Sequence, residues 1–342
     1  MTESLGPVKN QSLPASLELT HPLLRALYWC LSSPPFLTQL PDYPDSLLKC
    51  SFAEFLGDTP TELFNKLSTI EDSPQALETW VEERKTRRVG RLFENLIHYW
   101  LANHSEVDLI AHQQQISSEG RTLGELDFIF KLNGALIHLE TAVKYYLLAP
   151  CHETTKRSSA WNNLIGPNGI DTLARKALHL SRKQLPFGSS EAVRTQLDHH
   201  GPINSKALLQ GYIFYPSTSP PQIIPGMASN PPGGFWTHAD QLILPSKDPD
   251  TRWLVVDKPH WLGPLYSRHH DPQPLPKEAL TNRIYEHFKT TNAALLVVGF
   301  QRDPDNPCWR ESHRGMVVGP DWPYVVKPLR DAPLGSKSQS NY

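Results

Sequence analysis

Close to residue 104 the spacing of apolar residues changes from a helical period to a strand period. Leu92, Phe93, Leu96, Ile97, Trp100 and Leu101 recur at the intervals of one helical stripe. Between Asp108 and Lys144 the period falls to two: Leu126, Phe128 and Phe130 alternate with Glu125, Asp127 and Ile129. Asn133-Gly134, a pair suited to a tight turn, separates that run from Ala135 to Leu139. A helix and a hairpin that each carry one apolar face must cover one another. The chain is therefore expected to be a mixed α/β or α+β protein, with neither an all-helical bundle nor an all-β barrel compatible with both periods.

The flanking segments extend this pattern. Upstream, Leu23, Leu24, Leu27 and Leu31 have helical spacing before Pro34-Pro35, and Asp72-Ser73-Pro74 reads as a helix start with Ser73 as N-cap, the helix running to Leu101 with a break near Gly90. Downstream come a loop with Gly166-Pro167-Asn168, Asp171 as a second N-cap, a helix with Leu173, Ala177, Leu180 and Gln184 on one face, and a strand from Ala207 to Tyr215. Of 32 prolines, 13 lie between Pro216 and Pro276, so that stretch is expected to hold loops and short strands. Strands are expected at residues 253–257, 293–299 and 316–318, with a helix near 277–288. The organisation expected is a helical N-terminal extension (1–72), a central core (73–216) and a proline- and tryptophan-rich α+β C-terminal region (217–342) packed on it.

Composition narrows the function classes. With 39% hydrophobic and 20% charged residues the 342-residue chain has a globular balance, and its net charge of −2 gives no global basic field, so any nucleic-acid site must be local. Cys30, Cys50, Cys151 and Cys308 are widely separated and form no Cys-x-x-Cys pair, which argues against structural zinc and fits a reducing compartment. No run approaches the ~18 apolar residues of a membrane span, so a soluble, cytoplasmic protein with no membrane partner is expected. Phosphate-binding loops, nucleophile elbows and dinucleotide fingerprints are lacking in the sequence.

The chemistry-bearing stretch is Gly124-Glu125-Leu126-Asp127 followed by His138-Leu139-Glu140-Thr141-Ala142-Val143-Lys144. If the two runs pair, Asp127 and Glu140 come together, with Glu125 on the face of Asp127 and Leu126, Phe128 and Phe130 on the other. Two ionised carboxylates at close range need a cation between them, and oxygen ligands favour magnesium or manganese. Glu94, at the edge of the preceding helical stripe, is a third acid within reach. Lys144 is the candidate to orient water or stabilise charge. The same alternation also fits a half-exposed strand, and Glu140 with Lys144 also fits a surface ion pair worth under ~1 kcal/mol.

These residues resemble the PD-(D/E)xK nuclease superfamily, in which a helix that often bears a glutamate precedes a hairpin carrying an aspartate and then Glu-x-Lys. The matching pieces are Gly90-Arg91-Leu92-Phe93-Glu94, Gly124-Glu125-Leu126-Asp127 and His138-Leu139-Glu140. The chain as a whole is similar to a bacterial family catalogued as domain of unknown function 1853, a resemblance that also takes in Ser33-Pro34-Pro35, Ala142-Val143-Lys144-Tyr145-Tyr146, Gly166-Pro167-Asn168, Trp261-Leu262-Gly263-Pro264 and Trp322-Pro323. The resemblance implies a restriction-endonuclease-like core, a central mixed sheet flanked by helices, and a magnesium- or manganese-dependent nuclease. In it Asp127, Glu140 and Glu94 hold metal and Lys144 completes the catalytic set. Position 142, two residues after Glu140, is alanine, and Lys144 stands four residues on, so it must lean back, follow a bulge or begin a helical turn, or else the lysine role is vacant. The alternative is a catalytically silent nuclease-fold protein that binds nucleic acid or another protein.

Further residues fit the same reading. Gln184 on the later helix is expected to line the cleft beside Glu125. Arg88 and Arg91 ahead of Glu94, and Lys176 and Lys183 on the later helix, are candidates for phosphate contacts, although basic runs also serve as solvated helix faces. His199-His200 and His269-His270 read as surface histidines. The C-terminal tryptophans read as loop-packing residues.

Overall fold

The structure is a computed structural model and describes residues 19–43, 45–150, 160–267, 273–303 and 308–323. His269-His270 and Cys151 lie outside the described residues. The chain opens with α1 (Pro22–Ser32), α2 (Phe52–Leu56), α3 (Pro60–Glu71), α4 (Gln75–Glu83) and α5 (Val89–Asn103). Ser51 and Thr59 each form a reciprocal capping box with a glutamate three residues on, which fixes the starts of α2 and α3. The helix expected from Ser73 to Leu101 is two helices. Lys85 has a positive φ of 29° between them, whereas Gly90 continues inside α5. Ser73 bonds the Gln75 side chain and does not cap α4.

Three antiparallel strands follow: β1 (Val107–Ser118), β2 (Arg121–Leu132) and β3 (Ala135–Leu148). Asn133 and Gly134, at φ 50° and 78°, supply the left-handed pair that closes the β2–β3 hairpin. After β4 (Leu164–Ile165), α6 (Leu173–His179) begins with Thr172 as its side-chain cap, where Asp171 was expected. It leads into a π turn at Leu180–Gln184 and the short α7 (Leu185–Phe187) and α8 (Glu191–Gln196). Strand β5 (Ile203–Pro216) runs parallel to β3 over Leu136 to Leu147, the crossover carried by these helices. At Gly211, with φ 148°, a Cβ would lie 1.7 Å from the Lys144 carbonyl oxygen, so the close approach of β5 to β3 admits only glycine there.

The C-terminal region continues this sheet. Strands β6 (Gly233–His238), β7 (Arg252–Val256), β8 (Tyr266–Ser267), β9 (Leu295–Arg302) and β10 (Trp309–Val318), with α9 (Lys277–Thr290), give a ten-stranded mixed sheet in the order β1-β2-β3-β5-β6-β10-β9-β7. β4 pairs with β3 and β8 with β10. On one face Leu27, Phe93, Leu96 and Ile97 pack against Phe128, Phe130, Leu139 and Leu208. On the other, Leu173, Ala177 and Leu180 pack against Tyr146, Leu209 and Ile213. Burial on both faces explains why β3 and β5 are almost continuously apolar, so that each polar side chain on them stands out. Trp236, Trp253, Trp261 and Trp322 are buried. Among the described residues no helix is long and apolar enough to cross a membrane.

Candidate functional site

The β2–β3 ladder pairs Leu132 with Ala135 and closes at Phe128 with Leu139. The next opposed positions are Asp127 and Glu140, and there the ladder is replaced by a side chain: the Thr141 amide donates to Asp127 Oδ2 at 2.8 Å and the Thr141 hydroxyl at 3.2 Å. Beyond this point β2 stays with β1 and leaves β3. On that edge β3 next meets a described strand at Leu147, paired with Ile165 of β4. The sheet is thus split between Glu140 and Tyr146, with Asp127 and Glu140 at the apex. Leu126 departs from the expected alternation: it packs with Ile116, Ile129 and Leu136, whereas Phe128 and Phe130 lie under α5.

Glu140 is 1% exposed. His138 Nε2 lies 2.9 Å from its Oε1, and Ser205 Oγ lies 3.1 Å from His138 Nδ1. An ionised Glu140 only accepts, so the imidazole proton sits on Nε2 and Nδ1 accepts from the Ser205 hydroxyl. The amide of Gln184 donates to Glu140 Oε2, and Lys176 Nζ donates to Gln184 Oε1 at 3.0 Å. Gln184 occupies the last position of the π turn, where the extra residue in the turn changes which side chains face β3.

Asp127 is half-buried, and loss of solvent first, then the Glu140 charge, push its carboxyl up to about 7. Glu94 adds in the same direction, while the Thr141 amide and Lys176 oppose the shift. Burial and the charge of Lys144 pull the Lys176 ammonium below its ordinary range, against the attraction of Glu140, Asp127 and Asp171. Lys176, expected to contact phosphate from a helix surface, therefore stands inside the acidic group.

Glu94 approaches from α5. Burial raises its carboxyl, but His112, the Gln113 amide at 2.8 Å and Arg91 at 3.0 Å more than offset this and hold it below the usual carboxylate range. Gln113 has a positive φ of 50° at the β1 position facing Asp127, which turns its amide toward Glu94. Behind it the rings of His98 and His112 lie 3.9 Å apart, and burial together with the His112 charge pushes His98 down to about 4. His98 is neutral at neutral pH.

Lys144 lies on the Glu140 face of β3, and its Nζ donates to Asp171 Oδ2 at 2.6 Å. The Tyr146 hydroxyl donates to the same oxygen at 3.4 Å. Glu125 is exposed and stands in register with Gln115 of β1. Arg88 is exposed at the start of α5, Lys183 is exposed on the π turn, and Arg91 is committed to Glu94. The polar group therefore comprises Asp127, Glu140, Gln184 and Lys176, with Glu94 to one side and the Lys144–Asp171 pair to the other. His138, Thr141, Gln113 and Asp171 belong to it and were not singled out by sequence. Only His138, two residues from Glu140 on an alternating strand, carried a signal.

The donor set fits a hard divalent cation. Asp127 Oδ1 takes no hydrogen bond from a described residue, and the near oxygens are carboxylates. Among the described residues no three His, Cys, Asp or Glu side chains converge as a ready ligand set, so a cation here would keep several waters, as magnesium commonly does.

Fold and site together define a mixed α/β protein whose split central sheet presents a carboxylate pair, Glu140 buried and Asp127 half-buried, to a covering helix. The family model described as a domain of unknown function, DUF1853, matches residues 25–318, and the chain belongs to that family. No curated protein and no solved structure matches it.

Proposed function

We propose that the protein is a divalent-cation-dependent nuclease, hydrolysing phosphodiester bonds in nucleic acid from a restriction-endonuclease-like core. One observation carries this reading: the buried Glu140 and the half-buried Asp127 stand at opposed positions at the apex of the split sheet, with the half-buried Lys176 beside them. Such a pair is costly when both members are ionised and becomes favourable when a cation neutralises them. Asp127 and Glu140 would hold magnesium or manganese, with Glu94 acting through water. When bound, the cation supplies Lewis acidity and lowers the pKa of its water. Thr141 fixes Asp127, while His138 and Gln184 fix Glu140, so the carboxylates are held before substrate arrives. Lys176 Nζ is placed to donate to negative charge developing on phosphate. With Lys144 committed to Asp171, Lys176 is the better candidate for the lysine role. Arg88 and Lys183, both exposed, are suited to phosphates further along the strand.

A second reading, a catalytically silent nuclease-fold protein that binds nucleic acid or another protein, is favoured by the saturation of Glu140: each oxygen already has a protein partner.

The test is cleavage of labelled single- and double-stranded DNA and RNA with magnesium or manganese, comparing wild type with Asp127→Ala and Glu140→Ala at matched folding. Metal-dependent cutting that both variants lose supports the nuclease. No cutting on any substrate transfers support to the silent protein.

A further inference from the structure

Beyond the carboxylate pair, the open edge of β3 leads into a cleft of about 420 Å³. Its walls are β3 from Val143 to Tyr146, the Gly166–Asp171 loop, the turn at Lys258 and the residues just before β9. The volume falls within the ~300–1,000 Å³ of small-ligand sites and is far too small for a duplex. Pro167, Trp261 and Ala294 give it an apolar lining.

Lys144, Tyr146 and Asp171 in this wall bond one another, whereas other polar groups around the lining keep free donors among the described residues. Lys258 is exposed and its ammonium has no hydrogen bond or ion pair with any described residue. Asn168 Oδ1 accepts from the Ile170 amide at 3.2 Å, which fixes the side-chain orientation and leaves the Nδ2 donors without a partner among the described residues. Asn292 likewise makes no bond to a described side chain or backbone group, and Lys144 lies beside it in the wall, held by Asp171. An apolar surface ringed by amide donors and cations matches a nucleotide: a base for the former, a phosphate and its sugar for the latter. From Glu140 to Lys144 the strand covers ~13 Å. At ~3.4 Å per stacked nucleotide this is about four nucleotides of one strand.

We propose that this cleft is a nucleotide-binding subsite for a single nucleic-acid strand, with Lys258 on a phosphate, Asn168 and Asn292 on the base or sugar edge, and the base against Pro167 and Ala294. The proposal rests on the nuclease reading for its direction along β3, but binding at the cleft does not require cleavage. It implies that a single-stranded end or loop, not an intact duplex, occupies the site.

The experiment is fluorescence anisotropy with labelled oligo-dT and oligo-rU and a blunt duplex of equal length. It is run in EDTA on the full chain, for wild type, Lys258→Ala, Asn292→Ala and the double variant. Both substituted cleft positions are exposed, and thermal melting checks that the three variants fold. The expected result is single-strand binding that exceeds duplex binding, weakened about five- to tenfold by Lys258→Ala and more by the double variant. Wild-type binding that the double variant leaves unchanged overturns the subsite while the nuclease reading stands. Preference for the duplex also overturns it. No binding by wild type to any probe overturns the subsite, and if metal-dependent cutting is also absent the nuclease reading falls with it.

Discussion

Asp127 and Glu140 stand opposite one another one step beyond the last paired residues of β2 and β3, Phe128 and Leu139, and the Thr141 amide bonds the Asp127 carboxylate where a strand partner would otherwise be. The consequence is electrostatic. An acid pushed to about 7 by burial and by its neighbour is stored in an unfavourable state at neutral pH, and three chemical groups, a proton, a cation or a lysine, can relieve it.

The proton comes first. Below the ordinary carboxylate range both folded and unfolded chains hold it, and Asp127 contributes nothing to the pH dependence. As pH rises from about 4 to about 7 the unfolded chain releases the proton and the folded chain keeps it, so the wild type loses stability across that window. Asp127→Asn removes the penalty. Its stability relative to wild type should rise by about 1–3 kcal/mol between about pH 4 and pH 8, read from urea unfolding at both. A flat difference across that range contradicts the assignment.

The lysine is distinguished by substitution. Lys176→Met should reduce metal-dependent cleavage by about 10²–10³-fold, the scale of losing a preorganised electrostatic group, and Lys144→Met by less than about tenfold. Single-turnover rates with saturating manganese make the comparison. A larger loss at Lys144 would return the role to the strand lysine.

Positioning of Glu140 depends on a glycine at the end of α7. A Cβ at Gly188 would lie 1.9 Å from His138 Nδ1, and His138 is fully buried between Ser205 and Glu140. Gly188→Ala should therefore destabilise the fold by about 1–3 kcal/mol as the imidazole is displaced. Denaturant midpoints measure it, and Gly90→Ala in α5, where the added carbon meets no atom of another element within 4 Å, serves as the control that should lose no stability.

The sheet beyond the site is held by a buried ion pair. Arg314 bonds Glu311 at 2.7 and 2.8 Å, and also donates to the carbonyls of Trp261 and Gly263, tying β10 to the segment that lines the cleft. Glu311→Ala leaves the guanidinium buried without its counter-charge and should cost about 3–5 kcal/mol, measured by chemical denaturation. A loss below about 1 kcal/mol would mean that water reaches Arg314.

Much of the site's skeleton was legible because short-range patterns encode it. The alternation at 125–130, the Asn133-Gly134 turn and the stripe of α5 locate the hairpin and its covering helix, and with them Asp127, Glu140 and Glu94. Gln184 was legible too, through its place on the face of Leu173, Ala177 and Leu180. Lys176 was legible only as a candidate phosphate contact on the later helix; its place beside the carboxylates was not, because the parallel crossover from β3 to β5 is what brings α6 down over them. The split of the sheet was equally hidden, since β2 keeps its strand character from Arg121 to Leu132 while leaving β3 halfway. The partners of β6, β9 and β10 depend on contacts between distant segments. No periodicity reveals them.

The most direct measurement is calorimetric titration of manganese into the protein at about pH 8 and about pH 5.5, for wild type and Asp127→Asn. The predicted result is one cation bound by wild type at pH 8, weakened at least tenfold at pH 5.5 where Asp127 keeps its proton, and no binding by Asp127→Asn at either pH. Equal binding by wild type and variant, or none by wild type at pH 8, would contradict a cation site at Asp127 and Glu140.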